Sequence, residues 1–182
     1  MLVSIVGAAP YAYITNYSDN EVAVIDTATK LVAATVSGLH GPWGIAVTPN
    51  GKNVYVTNLA SNNVSVINTK SNTVTAQVPV GNWPYGVAVT PDGQKVYVTN
   101  QYDAMGNISV INTTNNAVTN VLTNIFGVDS MLFGIAVTPN GKQVYAANYG
   151  GINTSVINPS TNTVATTVPV GNNSVAFGQF IG

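Results

Sequence analysis

The chain has 182 residues, 46% of them hydrophobic, enough to bury a core as a single domain, and its net charge is −1. Only 6% of residues are charged, with one histidine, no cysteine and no arginine. A chain so poor in cations is unsuited to nucleic acid or an anionic membrane surface, disulfides and thiolate chemistry are excluded, and no apolar run reaches the length of a membrane span.

The chain opens on the alternating stretch Leu2, Val3, Ser4, Ile5, Val6, followed by GAAP. Next come YAYITN (11–16) and VAVIDTATKLVAATVSG (22–38). A phrase then appears that is used three times: GIAVTPNGKNVYVTN (44–58), GVAVTPDGQKVYVTN (86–100) and GIAVTPNGKQVYAAN (134–148). Tyr55 and Tyr97 are 42 residues apart, as are Pro49 and Pro91, while Pro91 to Pro139 spans 48 because the third unit is longer in two loops. The earlier YAYITN aligns with VYVTN, so a fainter unit precedes the three clear ones. Self-similarity at this period marks one supersecondary unit repeated along the chain.

Each unit predicts four strands. GIAV and VYVTN flank a Thr-Pro-Asn/Asp-Gly turn, in which proline presets one backbone angle and glycine supplies the left-handed one. A polar loop leads to VSVIN or VAVID, a second turn such as NTKSN follows, and a Val/Thr-alternating strand such as TVTAQVPV ends the unit. Short β-branched runs with period-two alternation and no helical stripe give an all-β chain. Four strands per unit, repeated, is the pattern of a β-propeller with one four-stranded sheet per blade.

Taken together, VYVTN, the TPDG turn, VSVIN and VPVG resemble the YVTN-type β-propeller repeat, found in archaeal surface-layer and other secreted proteins. The likeness covers nearly the whole chain and implies a secreted or surface-displayed propeller. The expected architecture has four blades, at about 11–43, 44–85, 86–133 and 134–171, with SVAFGQFIG (174–182) as a closing strand carrying Phe177, Phe180 and Ile181. That leaves five candidates for the innermost strand and four blades to hold them, so Leu2–Val6 is surplus. It is the remnant of a secretory signal, although a basic leader is missing; or an extra strand on its own molecule; or a strand donated to a neighbouring molecule.

In an up-and-down blade, the turns after the first and third strands share one end of the molecule. That end collects Lys30, Lys52, Lys70, Lys95 and Lys142 beside Asp26 and Asp92, and the opposite end collects Asp19, Glu21, Asp103 and Asp129. Opposite potentials at the two ends suit head-to-tail stacking. The acidic end is also aromatic. Tyr17, His40, Trp43, Trp83, Tyr102 and Tyr149 are the candidate ligand-contacting residues there, since rings stack on sugar faces while amides bond hydroxyls. Trp43, Tyr85 and Phe133 precede the innermost strands at equivalent positions and are also expected as wedges between blades. Six N-x-Ser/Thr sequons, at Asn16, Asn63, Asn107, Asn112, Asn153 and Asn172, are glycan acceptors in a secreted protein.

Catalysis finds little foundation. One histidine cannot build a zinc or haem-ligand cluster, no nucleophile elbow is present, and no spacing forces two carboxylates into one cleft. The expectation is a non-catalytic extracellular subunit without cofactor or metal, assembling with copies of itself into a coat or filament. The alternative is a monomeric module that binds a glycan or protein through the aromatic face.

Overall fold

The computed structural model describes residues 11–101, 106–123 and 131–176. Within them the chain is all strand and turn, without helix. The strands are β1 (Tyr11–Asn16), β2 (Glu21–Asp26), β3 (Leu31–Val36), β4 (Pro42–Val47), β5 (Asn53–Asn58), β6 (Asn63–Asn68), β7 (Thr73–Pro79), β8 (Pro84–Val89), β9 (Lys95–Asn100), β10 (Asn107–Asn112), β11 (Ala117–Leu122), β12 (Leu132–Val137), β13 (Val144–Asn148), β14 (Asn153–Asn158) and β15 (Thr163–Pro169). They form four antiparallel meanders in chain order: β1–β3, β4–β7, β8–β11 and β12–β15. The last three sheets are four-stranded. The first has three strands among the described residues, and both expected innermost strands for it, Leu2–Val6 and the stretch holding Phe177, Phe180 and Ile181, lie outside them.

The Thr-Pro-Asn/Asp-Gly turns fold alike. Thr48, Thr90 and Thr138 each accept the amide of the glycine three residues on at 2.8 Å, and those glycines, Gly51, Gly93 and Gly141, have φ of 67°, 71° and 69°. Each threonine hydroxyl donates to the side chain of Asn50, Asp92 or Asn140, fixing the first turn in one geometry. The turn between the third and fourth strands of each unit ends on a left-handed residue: Lys30, Asn72, Asn116 or Asn162. A bulge recurs between Val24/Ile25, Val66/Ile67, Val110/Ile111 and Val156/Ile157.

Consecutive sheets pack face to face, giving three cores in series. The first joins Val22, Val24 and Val36 to Val54, Val56 and Ile67. The second joins Tyr55, Val64, Val66 and Val78 to Val96, Val98 and Ile111. The third joins Tyr97, Ile108, Val110 and Leu122 to Val144, Ala146 and Ile157. Successive strand residues point to opposite faces, so the middle strands of an internal sheet must be apolar on both. This is why Val66 and Ile67, neighbours in sequence, are both fully buried in different cores.

Two hydrogen-bond ladders tie each sheet to the next. The hydroxyls of Tyr13, Tyr55 and Tyr97 donate to the carboxamide oxygens of Asn72, Asn116 and Asn162 in the following sheet, at 3.4, 2.8 and 2.8 Å. Those of Thr15, Thr57 and Thr99 donate to the carbonyls of Trp43, Tyr85 and Phe133, at 2.8, 2.9 and 3.1 Å. The sheets approach so closely that a Cβ on Gly44 or Gly86 would meet the carbonyl of Tyr85 or Phe133. This radial stacking of meanders through their inner strands is propeller-like. Packing runs from the first sheet to the second, third and fourth, and among the described residues no comparable packing joins the fourth to the first.

Candidate functional site

Antiparallel connection sorts the loops as the sequence predicts. Tyr17 follows β1, Tyr149 follows β13, and Trp43, Tyr85 and Phe133 sit at the start of β4, β8 and β12. Their rings form one continuous row along the inner rim. Tyr17 meets Trp43 edge-on at 5.9 Å, Trp43 meets Tyr85 at 4.8 Å, Tyr85 meets Phe133 edge-on at 4.7 Å, and Phe133 meets Tyr149 at 5.2 Å. Edge-to-face geometry at these separations is attractive, so the row helps hold the sheets together. Tyr17, Trp43 and Tyr149 are nonetheless exposed, while partial burial raises the pKa of Tyr85.

Of the other predicted contact residues, Trp83 is exposed and left-handed (φ 49°), its amide donating to Asn62 Oδ1 at 3.0 Å. His40 is exposed, and its backbone amide donates to Asn58 Oδ1 at 3.4 Å. Tyr102 lies outside the described residues.

The opposite end carries all five lysines, as expected. A groove of about 510 Å³ lies there between the third and fourth sheets, lined by Thr90, Asp92, Lys95, Asn140 and Pro159 among others. Its ionic groups already have partners. The Lys95 ammonium donates to the Pro159 carbonyl at 2.5 Å and to Asn162 Oδ1 at 3.3 Å. Asp92 accepts from the Thr90 hydroxyl and the Gln94 amide, and these bonds lower its pKa. Both residues serve the fold, and the groove lining contains no second carboxylate. At the acidic end Asp19 accepts from the Asn16 carboxamide, and Glu21 begins β2. Asp103 and Asp129 lie outside the described residues. No group of three or more His, Cys, Asp or Glu gathers among the described residues.

Sequence reasoning overlooked the outer faces of the first and fourth sheets. Ile14 is 50% exposed, whereas its repeat equivalents Val56, Val98 and Ala146 are fully buried. Val168 is 41% exposed, whereas Val36 and Val78 are at 3% and Leu122 at 7%. Val32 and Val170 are exposed beside them. Two apolar faces of the kind that elsewhere form the core therefore stand at the ends of the series. The repeat alignment gives these residues as core, because the first and last units contain the same core residues as the internal ones, and nothing in it marks a face that no neighbouring sheet covers.

The sequons differ in access. Asn107 is buried, its carboxamide oxygen accepting from Asn100 at 2.6 Å. Asn16, Asn63, Asn112 and Asn153 are half-buried, and Asn172 is exposed.

No family model matches the chain, and no curated protein matches it. Solved structures match in number, 1239 chains, so likeness of this kind marks an architecture and does not select an activity. One of them, Kuenenia stuttgartiensis hydrazine synthase, is 27% identical with a TM-score of 0.82. The alignment covers 88% of this chain and 46% of that one, so this chain spans less than half the length of the protein it resembles.

Proposed function

We propose that the protein is a non-catalytic, extracellular propeller-like subunit that works by assembling with copies of itself. The observation that carries this reading is the pair of exposed apolar faces on the first and fourth sheets, at positions buried between all the internal sheets. Monomers rarely expose contiguous apolar surface without a partner for it. The separation of lysines from Asp19 and Glu21 onto opposite ends supports it further, since it adds electrostatic complementarity between stacked molecules. The extracellular setting rests on the low charge, the sequons and the likeness to secreted repeats. The hydrazine synthase likeness does not favour an enzyme, because one histidine and no cysteine leave few residues for redox or metal chemistry. Light scattering across a dilution series tests the reading. A mass above one chain supports it, and a monomer at every concentration overturns it.

The aromatic row favours a second reading, a surface for a glycan. Three exposed rings of a continuous row offer apolar faces at the end of the sheets that also carries the hydrogen-bonded carboxamides of Asn62 and Asn82, on two loops. Soluble oligosaccharides should then shift tryptophan fluorescence, and Trp43→Ala should remove the shift. An unchanged spectrum at saturating sugar would exclude this reading.

A further inference from the structure

We propose that the outer face of the fourth sheet in one copy packs on the outer face of the first sheet in a second copy, twice over, closing a ring of eight sheets from two chains. The proposal rests on the assembly reading above and gives it a partner, an interface and a stoichiometry.

The two faces are the separated halves of an interface the molecule builds three times already. Every internal core pairs a trailing face, carrying Val36, Val78 or Leu122, with a leading face, carrying Val56, Val98 or Ala146. The fourth sheet's exposed face presents Val168 and Val170 in trailing positions, and the first presents Ile14 and Val32 in leading positions. A stacked array that ends in water needs terminal units with polar outer faces. These terminal units have apolar ones, so each end expects another sheet.

The ladders break at the same places. Tyr13, Tyr55 and Tyr97 each reach the left-handed turn residue of the next sheet, but Tyr145 donates to Oε1 of Gln143, just before its own strand, at 3.2 Å. The first sheet's corresponding turn residue, Lys30 (φ 61°), keeps the left-handed geometry of Asn72, Asn116 and Asn162 and receives no tyrosine. Across the new interface the Lys30 ammonium would donate to the Tyr145 oxygen. At the inner end, the carbonyl of Ala176 lies against Gly134 as those of Tyr85 and Phe133 lie against Gly44 and Gly86. The chain at Ser174 and Ala176 therefore lies against the fourth sheet where the neighbouring sheet's innermost strand stands in the internal interfaces.

Two copies satisfy both open faces. No comparable packing joins the fourth sheet back to the first among the described residues, so within one chain both end faces stay uncovered. A trailing face meeting a leading face is a heterologous contact, and two such contacts about a twofold axis leave no face open.

The test uses the full chain, Ile14→Asp, Val168→Asp and a form lacking residues 1–10, by light scattering with circular dichroism, at concentrations down to about 1 μM, where a tight dimer persists. The expected result is a dimer of about twice 18.8 kDa for the full chain and the shortened form, and monomers with unchanged strand spectra for both substitutions. An open-ended polymer, or a dimer lost only on removing residues 1–10, overturns the ring while leaving the assembly reading standing. A monomer at every concentration removes both. Because the chain has no cysteine, the double variant Ile14→Cys, Val168→Cys with a short bismaleimide gives an independent readout. A covalent dimer linked 14 to 168 between chains supports the ring, and a link within one chain overturns it in favour of self-closure.

Discussion

At the scale of single residues, the tyrosine of the VYVTN phrase has two fates. Tyr97 is fully buried with its hydroxyl on Asn162, and burial, aided by Asp92, pushes its pKa to about 12 from 10.0. The fold thus favours the neutral phenol. Its contribution is fully present below pH 10 and is lost as the pH rises from 10 through 12. Tyr13 and Tyr55, also raised by burial, add in the same direction. Urea midpoints at about pH 8 and about pH 11 should therefore fall apart by less in Tyr97→Phe than in the unaltered chain. At neutral pH that substitution should cost about 1 kcal/mol, the worth of one hydrogen bond, and Tyr145→Phe should cost less, because its bond stays on an exposed strand end. Asp92 gives the opposite test. Hydrogen bonds lower its pKa, so its stabilisation is present above the usual carboxylate value and lost as the pH falls below it. Asn50 and Asn140 make the same turn bonds without a charge. Asp92→Asn should therefore leave neutral stability within about 0.5 kcal/mol while flattening the acid limb of the unfolding profile.

At the scale of elements, turn chemistry was the most legible part of the sequence. Thr-Pro-Asn/Asp-Gly fixed where β4, β8 and β12 end, because proline and glycine each impose one backbone angle locally. The bulges after Val24, Val66, Val110 and Val156 were not legible, since a bulge is set by how two strands share twist across a sheet. The glycine within each innermost strand could be read from the repeat, but its reason comes from a neighbouring sheet. A Cβ on Gly86 would meet the Phe133 carbonyl and, at 3.0 Å, the Thr99 hydroxyl, groups that cannot withdraw without parting two sheets. Gly86→Ala should cost about 1–3 kcal/mol in denaturant unfolding through overpacking. Gly38, left-handed with nothing within 4 Å of its would-be Cβ, should cost about 1–2 kcal/mol as alanine, from backbone strain alone.

At the scale of the whole molecule, the interfaces between sheets carry the energetics, and each is shared by two repeats about 42 residues apart, as Tyr55 and Tyr97 are. Removing Thr57 and Thr99 hydroxyls together should therefore loosen adjacent interfaces and broaden the unfolding transition, with hydrogen exchange in β8 and β12 rising first. The sequence by itself determined the repeat, the all-β class, the strand positions and the sorting of lysines and aromatics to opposite ends, because these follow from local periodicity, turn angles and antiparallel connection. It named Tyr17, Trp43 and Tyr149 as rim residues, yet not that Tyr85 and Phe133 link them into one row, since ring contacts depend on how close the sheets stand. It also could not separate Ile14 from Val56, or Val168 from Val78. Those residues are chemically alike and occupy the same place in their repeats. Only the tertiary structure, by covering Val56 and Val78 with a neighbouring sheet and leaving Ile14 and Val168 in water, made two of them core and two of them surface.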